Sequence, residues 1–201
     1  MRRAPDMEDV EGYFKLGYYG YTNNREDLVP YLRFAAERGH PHACYVVGQI
    51  FQTGDSGLAT DEGLAVKFTR WAAHLGVAQA MTNLGAMCLE GHGMAQDVHR
   101  AVKLFQQASD LGDAKGTLSL AICRARGTGA KSPDTKEALR LCRQAADTGL
   151  FIAQALLEEF EQAANGGGSS IKLLQADDAA APNIQDAKDF WKPSDEWEIV
   201  D

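Results

Sequence analysis

Apolar and small residues recur along this chain at helical spacing. Between Val77 and Gly112, the residues Ala78, Ala80, Met81, Leu84, Gly85 and Cys88 share one stripe, which predicts a first helix. Gly91-His92-Gly93 breaks it, because glycine reaches the left-handed conformation that ends helices. Asp97 is a good N-cap for a second helix, and Ala101, Val102, Phe105, Ala108 and Ser109 give that helix one apolar or small face. Gly112 ends the unit. The frame then recurs: Asp61–Gly76, Asp97–Gly112 and Asp134–Gly149 each open on Asp, carry Ala four residues on and close on Gly fifteen residues on. A period of 36 to 37 residues marks a repeat array. A lone helix pair cannot bury its apolar face, so stacked neighbours must form the core.

In chain order, residues 1–7 read as a polar lead-in and 9–39 as a degenerate first repeat. Leu16-Gly17 and Ala35-Ala36 fit the frame, but Thr22-Asn23-Asn24 stands where the Gly-x-Gly turn belongs. This repeat is rich in aromatics: Tyr13, Phe14, Tyr18, Tyr19, Tyr21 and Tyr31. Residues 40–76, 77–112 and 113–149 are the next repeats, and 150–165 is a lone capping helix. The expected fold is all-α, a right-handed α-α superhelix of about nine repeat helices within residues 1–166.

The frame Ala80, Leu84-Gly85, Gly91/Gly93, Asp97, Ala101, Ala108-Ser109, Gly112 resembles that of the Sel-one-like repeat family, relatives of the tetratricopeptide repeats. Leu120-Ala121, Gly127/Gly129, Asp134, Ala138, Ala145-Ala146 and Gly149 restate it. The resemblance covers about residues 8–166 and implies an adaptor that holds other proteins.

Composition narrows the function. A net charge of −8 argues against nucleic acid as the main partner. No apolar run approaches eighteen residues, so no membrane span is expected. Met1-Arg2-Arg3-Ala4-Pro5-Asp6 leads into no apolar stretch, so no secretory signal is expected. Cys44, Cys88, Cys123 and Cys142 read as buried helical thiols in a reducing compartment. They lack the matched pair per repeat found in the secreted, disulfide-bonded branch of the family. A cytoplasmic location is expected. No cofactor is expected. His40, His42 and Cys44 are the nearest approach to a metal cluster, short of the three or four convergent ligands a site needs. No nucleophile sits beside a base in a recognisable motif, so the chain is expected not to be an enzyme. A repeat-type hydrolase is the less favoured alternative.

By analogy with tetratricopeptide repeats, the binding groove is expected on the first helices, away from the Leu-Gly packing. That phase selects Phe14, Tyr18 and Tyr21, then His42, Tyr45, Gln49 and Gln52. Gln79 and Thr82 follow in the third repeat, and Lys115, Leu118 and Ile122 in the fourth. The occupant would be a peptide segment of a protein partner.

Beyond Asn165 the composition changes. Residues 167–170 form a Gly/Ser linker of a kind used in engineered fusions, and 171–201 form an acidic segment containing Trp191 and Trp197. This segment reads as a native tail or a grafted partner peptide that docks on the array, with Ile184, Phe190, Trp191, Trp197 and Val200 as anchors. Its acids would lie near Lys115, Arg124, Arg33 or His42. Asp195-Glu196-Trp197-Glu198-Ile199-Val200 also resembles the motif by which autophagy receptors bind ubiquitin-like modifiers through strand addition. That gives an alternative reading as a cargo adaptor.

Overall fold

The computed structural model describes residues 9–55 and 59–164. Among these, the chain forms α1 (Val10–Thr22), α2 (Val29–Glu37), α3 (Pro41–Thr53), α4 (Glu62–His74), α5 (Ala78–Glu90), α6 (Val98–Asp110), α7 (Ala114–Arg126), α8 (Thr135–Ala146) and α9 (Phe151–Ala164). A 3-10 turn, Glu26–Leu28, leads into α2. The helices pair as α1/α2, α3/α4, α5/α6 and α7/α8, and each pair stacks on the next, with α9 packed on α8. The architecture is an all-α repeat solenoid.

The frame aspartates explain why the second helices start where they do. The carboxylates of Asp61, Asp97 and Asp134 accept from the backbone N–H groups of Leu64, Arg100 and Glu137 at 2.9, 2.9 and 3.0 Å. Each thereby satisfies a donor left without a partner at the helix start. The same residues donate their own backbone N–H back to Phe51, Cys88 and Arg124 at 2.9, 2.8 and 2.8 Å. One aspartate thus caps a helix and ties the hairpin shut.

Between repeats, the N–H groups of His40, Val77 and Asp113 reach back to the carbonyls of Ala35, Ala72 and Ala108 at 3.1, 3.1 and 2.9 Å. This is the helix-ending bond that a left-handed residue permits. Gly39, Gly76 and Gly112 supply that residue, at φ +80°, +89° and +85°.

The core runs along the stack, from Tyr13 and Leu32 through Cys44, Ile50, Ala72, Leu84 and Phe105 to Leu141, Leu156 and Phe160. Leu84 is 2% exposed, and Ala101 and Ala108 are fully buried. Gly85 marks the closest helix approach. A Cβ there would lie 2.6 Å from Cε1 of Phe105, a ring that is itself fully buried. The small half of the Leu-Gly pair is therefore a packing requirement of the α5/α6 pair.

All four cysteines are buried and free. The Cys44 and Cys142 thiols donate to the carbonyls of Ala36 and Ala153, each at 3.3 Å. Burial pushes the Cys44, Cys123 and Cys142 thiols up to about 11. Among the described residues, no helix is long and apolar enough to cross a membrane.

Candidate functional site

The first helices of the repeats line a cleft of about 360 Å³. One wall is aromatic: Phe14, Tyr18 and Tyr21 follow one another at helical spacing on α1. The ring centroids of Phe14 and Tyr18 are 5.7 Å apart, and those of Tyr18 and Tyr21 are 6.4 Å apart. His42, Tyr45, Val46 and Gln49 of α3 and Gln79, Thr82 and Asn83 of α5 continue the lining. The far end is the start of α7, with Asp113, Ala114 and Lys115, together with Leu150. The lining is thus apolar and aromatic at one end and polar at the other.

The polar end is held by a short network. Asp113 caps α7 by accepting from Gly116 N–H at 2.8 Å, and the same carboxylate oxygen accepts the Thr82 hydroxyl at 2.6 Å. Beneath it, the hydroxyls of Ser109 and Thr117 lie 2.8 Å apart, and Thr117 donates to the Asp113 carbonyl at 3.0 Å. These bonds join α5, α6 and α7 and fix the spacing of the cleft's far end. Such fully satisfied polar groups specify a single packing.

At the other end, Phe14 stacks on the His40 ring at 4.2 Å with 20° between planes. His40 Nε2 lies 2.9 Å from the Glu11 carboxylate, and Nδ1 accepts from Ala43 N–H at 3.1 Å, capping α3. This pattern places the ring proton on Nε2, donated to Glu11. The bond from His40, more than any other influence, holds the Glu11 carboxyl below its ordinary range. Partial desolvation against the cleft wall, with His40 nearby, pulls His42 below the usual histidine value although the residue keeps an exposed face. Burial pushes the Tyr18 phenol up to about 12 and raises that of Tyr45, which also feels the Asp113 charge. The tyrosines are therefore neutral donors and aromatic surfaces at physiological pH.

Nine of the residues selected from sequence meet in this cleft: Phe14, Tyr18, Tyr21, His42, Tyr45, Gln49, Gln79, Thr82 and Lys115. Three do not line it. Leu118 holds the same frame position as Tyr45 and Thr82, but the cleft reaches only the first turn of α7 and its apolar side chain belongs to the core. Ile122 is partly buried against that core, because the cleft reaches only the first turn of α7. Gln52 is exposed on the last turn of α3, beyond the cleft's edge at Gln49.

Thr22, Asn24, Val46, Asn83, Asp113, Ala114 and Leu150 line the cleft without having been selected. Asn24 carried a signal: it lies in the stretch that stands where the Gly-x-Gly turn belongs and adopts φ +53°, a conformation asparagine tolerates. Asp113 carried another, since an Asp before a helix reads as a cap. The anchors Ile184, Phe190, Trp191, Trp197 and Val200 lie outside the described residues, as do the linker at 167–170 and the short motif at 195–200.

Residues 41–77, 78–113 and 114–150 each match the Sel1 repeat. The chain belongs to the Sel1 repeat family. It is 33% identical over 96 residues to the Arabidopsis thaliana "ERAD-associated E3 ubiquitin-protein ligase component HRD3B", a match spanning 46% of this chain and 16% of that one. It is 29% identical over 142 residues to the "Chitin synthase regulator SKT5" of Saccharomyces cerevisiae, spanning 67% of this chain and 20% of that one. The chain thus matches about a fifth or less of the length of these curated relatives. A solved Sel1 repeat protein from Oxalobacter formigenes superposes with a TM-score of 0.67 at 28% identity, covering 74% of this chain and 60% of that one.

Proposed function

We propose that the chain is a non-catalytic protein-interaction scaffold whose first-helix cleft takes an extended peptide segment of a partner protein. The cleft's composition carries this reading. Phe14, Tyr18 and Tyr21 offer a stepped aromatic wall on which an apolar side chain can lodge, and tyrosine is prominent among interface hot spots. Gln49 and Gln79 offer side-chain amides on α3 and α5, and each amide can both donate to and accept from an extended backbone. Lys115 at the far end suits an acidic residue. Among the described residues that line the cleft, the one carboxylate, Asp113, already accepts two hydrogen bonds. It acts as a cap and brace rather than as a base. The relatives agree in kind: one is named as a component of a ligase and the other as a regulator of a synthase.

Selection of a random peptide library on the immobilised full chain tests the reading. Enriched peptides should pair an aromatic or large aliphatic residue with an acidic one. Their affinity should fall about tenfold or more on Tyr18→Ala, the range of a hot-spot truncation. Lys115→Glu should weaken the acidic peptides most. Enriched peptides that bind both variants as well as the parent chain would place recognition elsewhere.

A further inference from the structure

We propose that residues 171–201 of this same chain occupy the cleft, so that the array holds its own C-terminal segment until a partner peptide displaces it. The inference rests on the cleft being a peptide site and names its resident competitor.

Position favours it. Leu150 lines the cleft and immediately precedes α9. A helix of 14 residues is about 21 Å long at the standard rise, so the chain leaves α9 within one helix length of the cleft. Residues 165–170 can span up to about 20 Å and the following 31 residues about 100 Å when extended. The segment can therefore return along α9 and run the length of the cleft.

Chemistry favours it too. The segment carries Ile171, Leu173, Leu174, Ile184, Phe190, Trp191 and Trp197, an apolar and aromatic content suited to the stepped wall of α1. Its eight acids against three lysines include a carboxylate for Lys115, which sits beside the already hydrogen-bonded Asp113. Tethering sets an effective concentration of roughly millimolar, so a segment of only modest intrinsic affinity would keep the cleft filled.

The test uses the intact chain. The photo-crosslinking residue p-benzoylphenylalanine is placed at Gln49 and, in a second variant, at the exposed Gln79. Each is irradiated at low micromolar concentration and the products are mapped by mass spectrometry. Intramolecular cross-links to 171–201 are expected from both positions, and the Trp191→Ser/Trp197→Ser chain should lose most of them. Cross-links that avoid 171–201, or that join only separate chains, overturn the inference.

A selected cleft-binding peptide gives the second arm. It should bind the double tryptophan variant at least tenfold more tightly than the parent chain. Equal binding to both means that the segment does not compete, and this inference falls while the peptide site stands. Failure to select any peptide sensitive to Tyr18→Ala, with the Trp191→Ser/Trp197→Ser chain as the bait, removes the peptide site itself.

Discussion

Replacing Gly85 with alanine isolates what holds one repeat together. Alanine favours helix over glycine by about 1 kcal/mol in a helix interior, so on propensity alone the variant should be more stable. Packing opposes this. The new methyl would sit 2.6, 2.9 and 3.2 Å from three atoms of the Phe105 ring. Phe105 is fully buried between α5 and its neighbours, so the ring cannot simply swing into solvent. Overpacking of this kind costs about 1–3 kcal/mol, which outweighs the propensity gain and leaves a net loss near 1 kcal/mol. The natural chain makes the same trade elsewhere. In the fourth repeat the frame equivalents of Gly85 and Phe105 are Ala121 and Cys142, so the methyl appears where the facing side chain is smaller. Urea unfolding followed by far-UV circular dichroism should show Gly85→Ala below the parent chain. In a Phe105→Leu background the same change should be neutral or stabilising, with a coupling of about 1–2 kcal/mol across the cycle. A Gly85→Ala chain as stable as the parent, with Phe105 in place, would refute the argument.

Stability should also fall as pH drops below about 6.5, the ordinary histidine value, because His42 resists protonation in the folded chain and accepts it when unfolded. His42→Gln should flatten that part of the profile. A second loss should begin lower, as pH falls through the lowered Glu11 range, since the Glu11–His40 contact favours the ionised carboxylate; Glu11→Gln should remove it, and midpoint-against-pH curves for the three chains separate the two effects. The four thiols should react with a disulfide reagent at pH 8 only as fast as the chain opens, because burial raises them and hides them. Rapid stoichiometric labelling of the native chain would contradict the core as described.

The period, the capping aspartates and the small positions at helix contacts were legible in sequence because each has a local cause. Asp97 caps the helix that follows it, and Gly112 takes a left-handed φ in its own loop. Most of the cleft was legible for the same reason, since residues such as Tyr45 and Thr82 repeat one phase on successive first helices. What escaped depends on where the stack closes. Leu118 shares that phase, but the cleft has ended at the first turn of α7, so an apolar side chain there joins the core. Leu150 lines the cleft although it precedes the capping helix rather than lying on a repeat's first helix. Asp113 is readable as the α7 cap, but the hydrogen bond from Thr82, 31 residues away, that joins it to the cleft has no local pattern.

A hydrogen-exchange footprint of the Trp191→Ser/Trp197→Ser chain, with and without a saturating library-selected peptide, tests the peptide site most directly. Binding in the cleft should slow amide exchange on α1, α3 and α5 and in the first turn of α7, and leave α4, α6 and α8 unchanged. Protection centred on α4, α6 and α8, or none on α1 and α3, would contradict it.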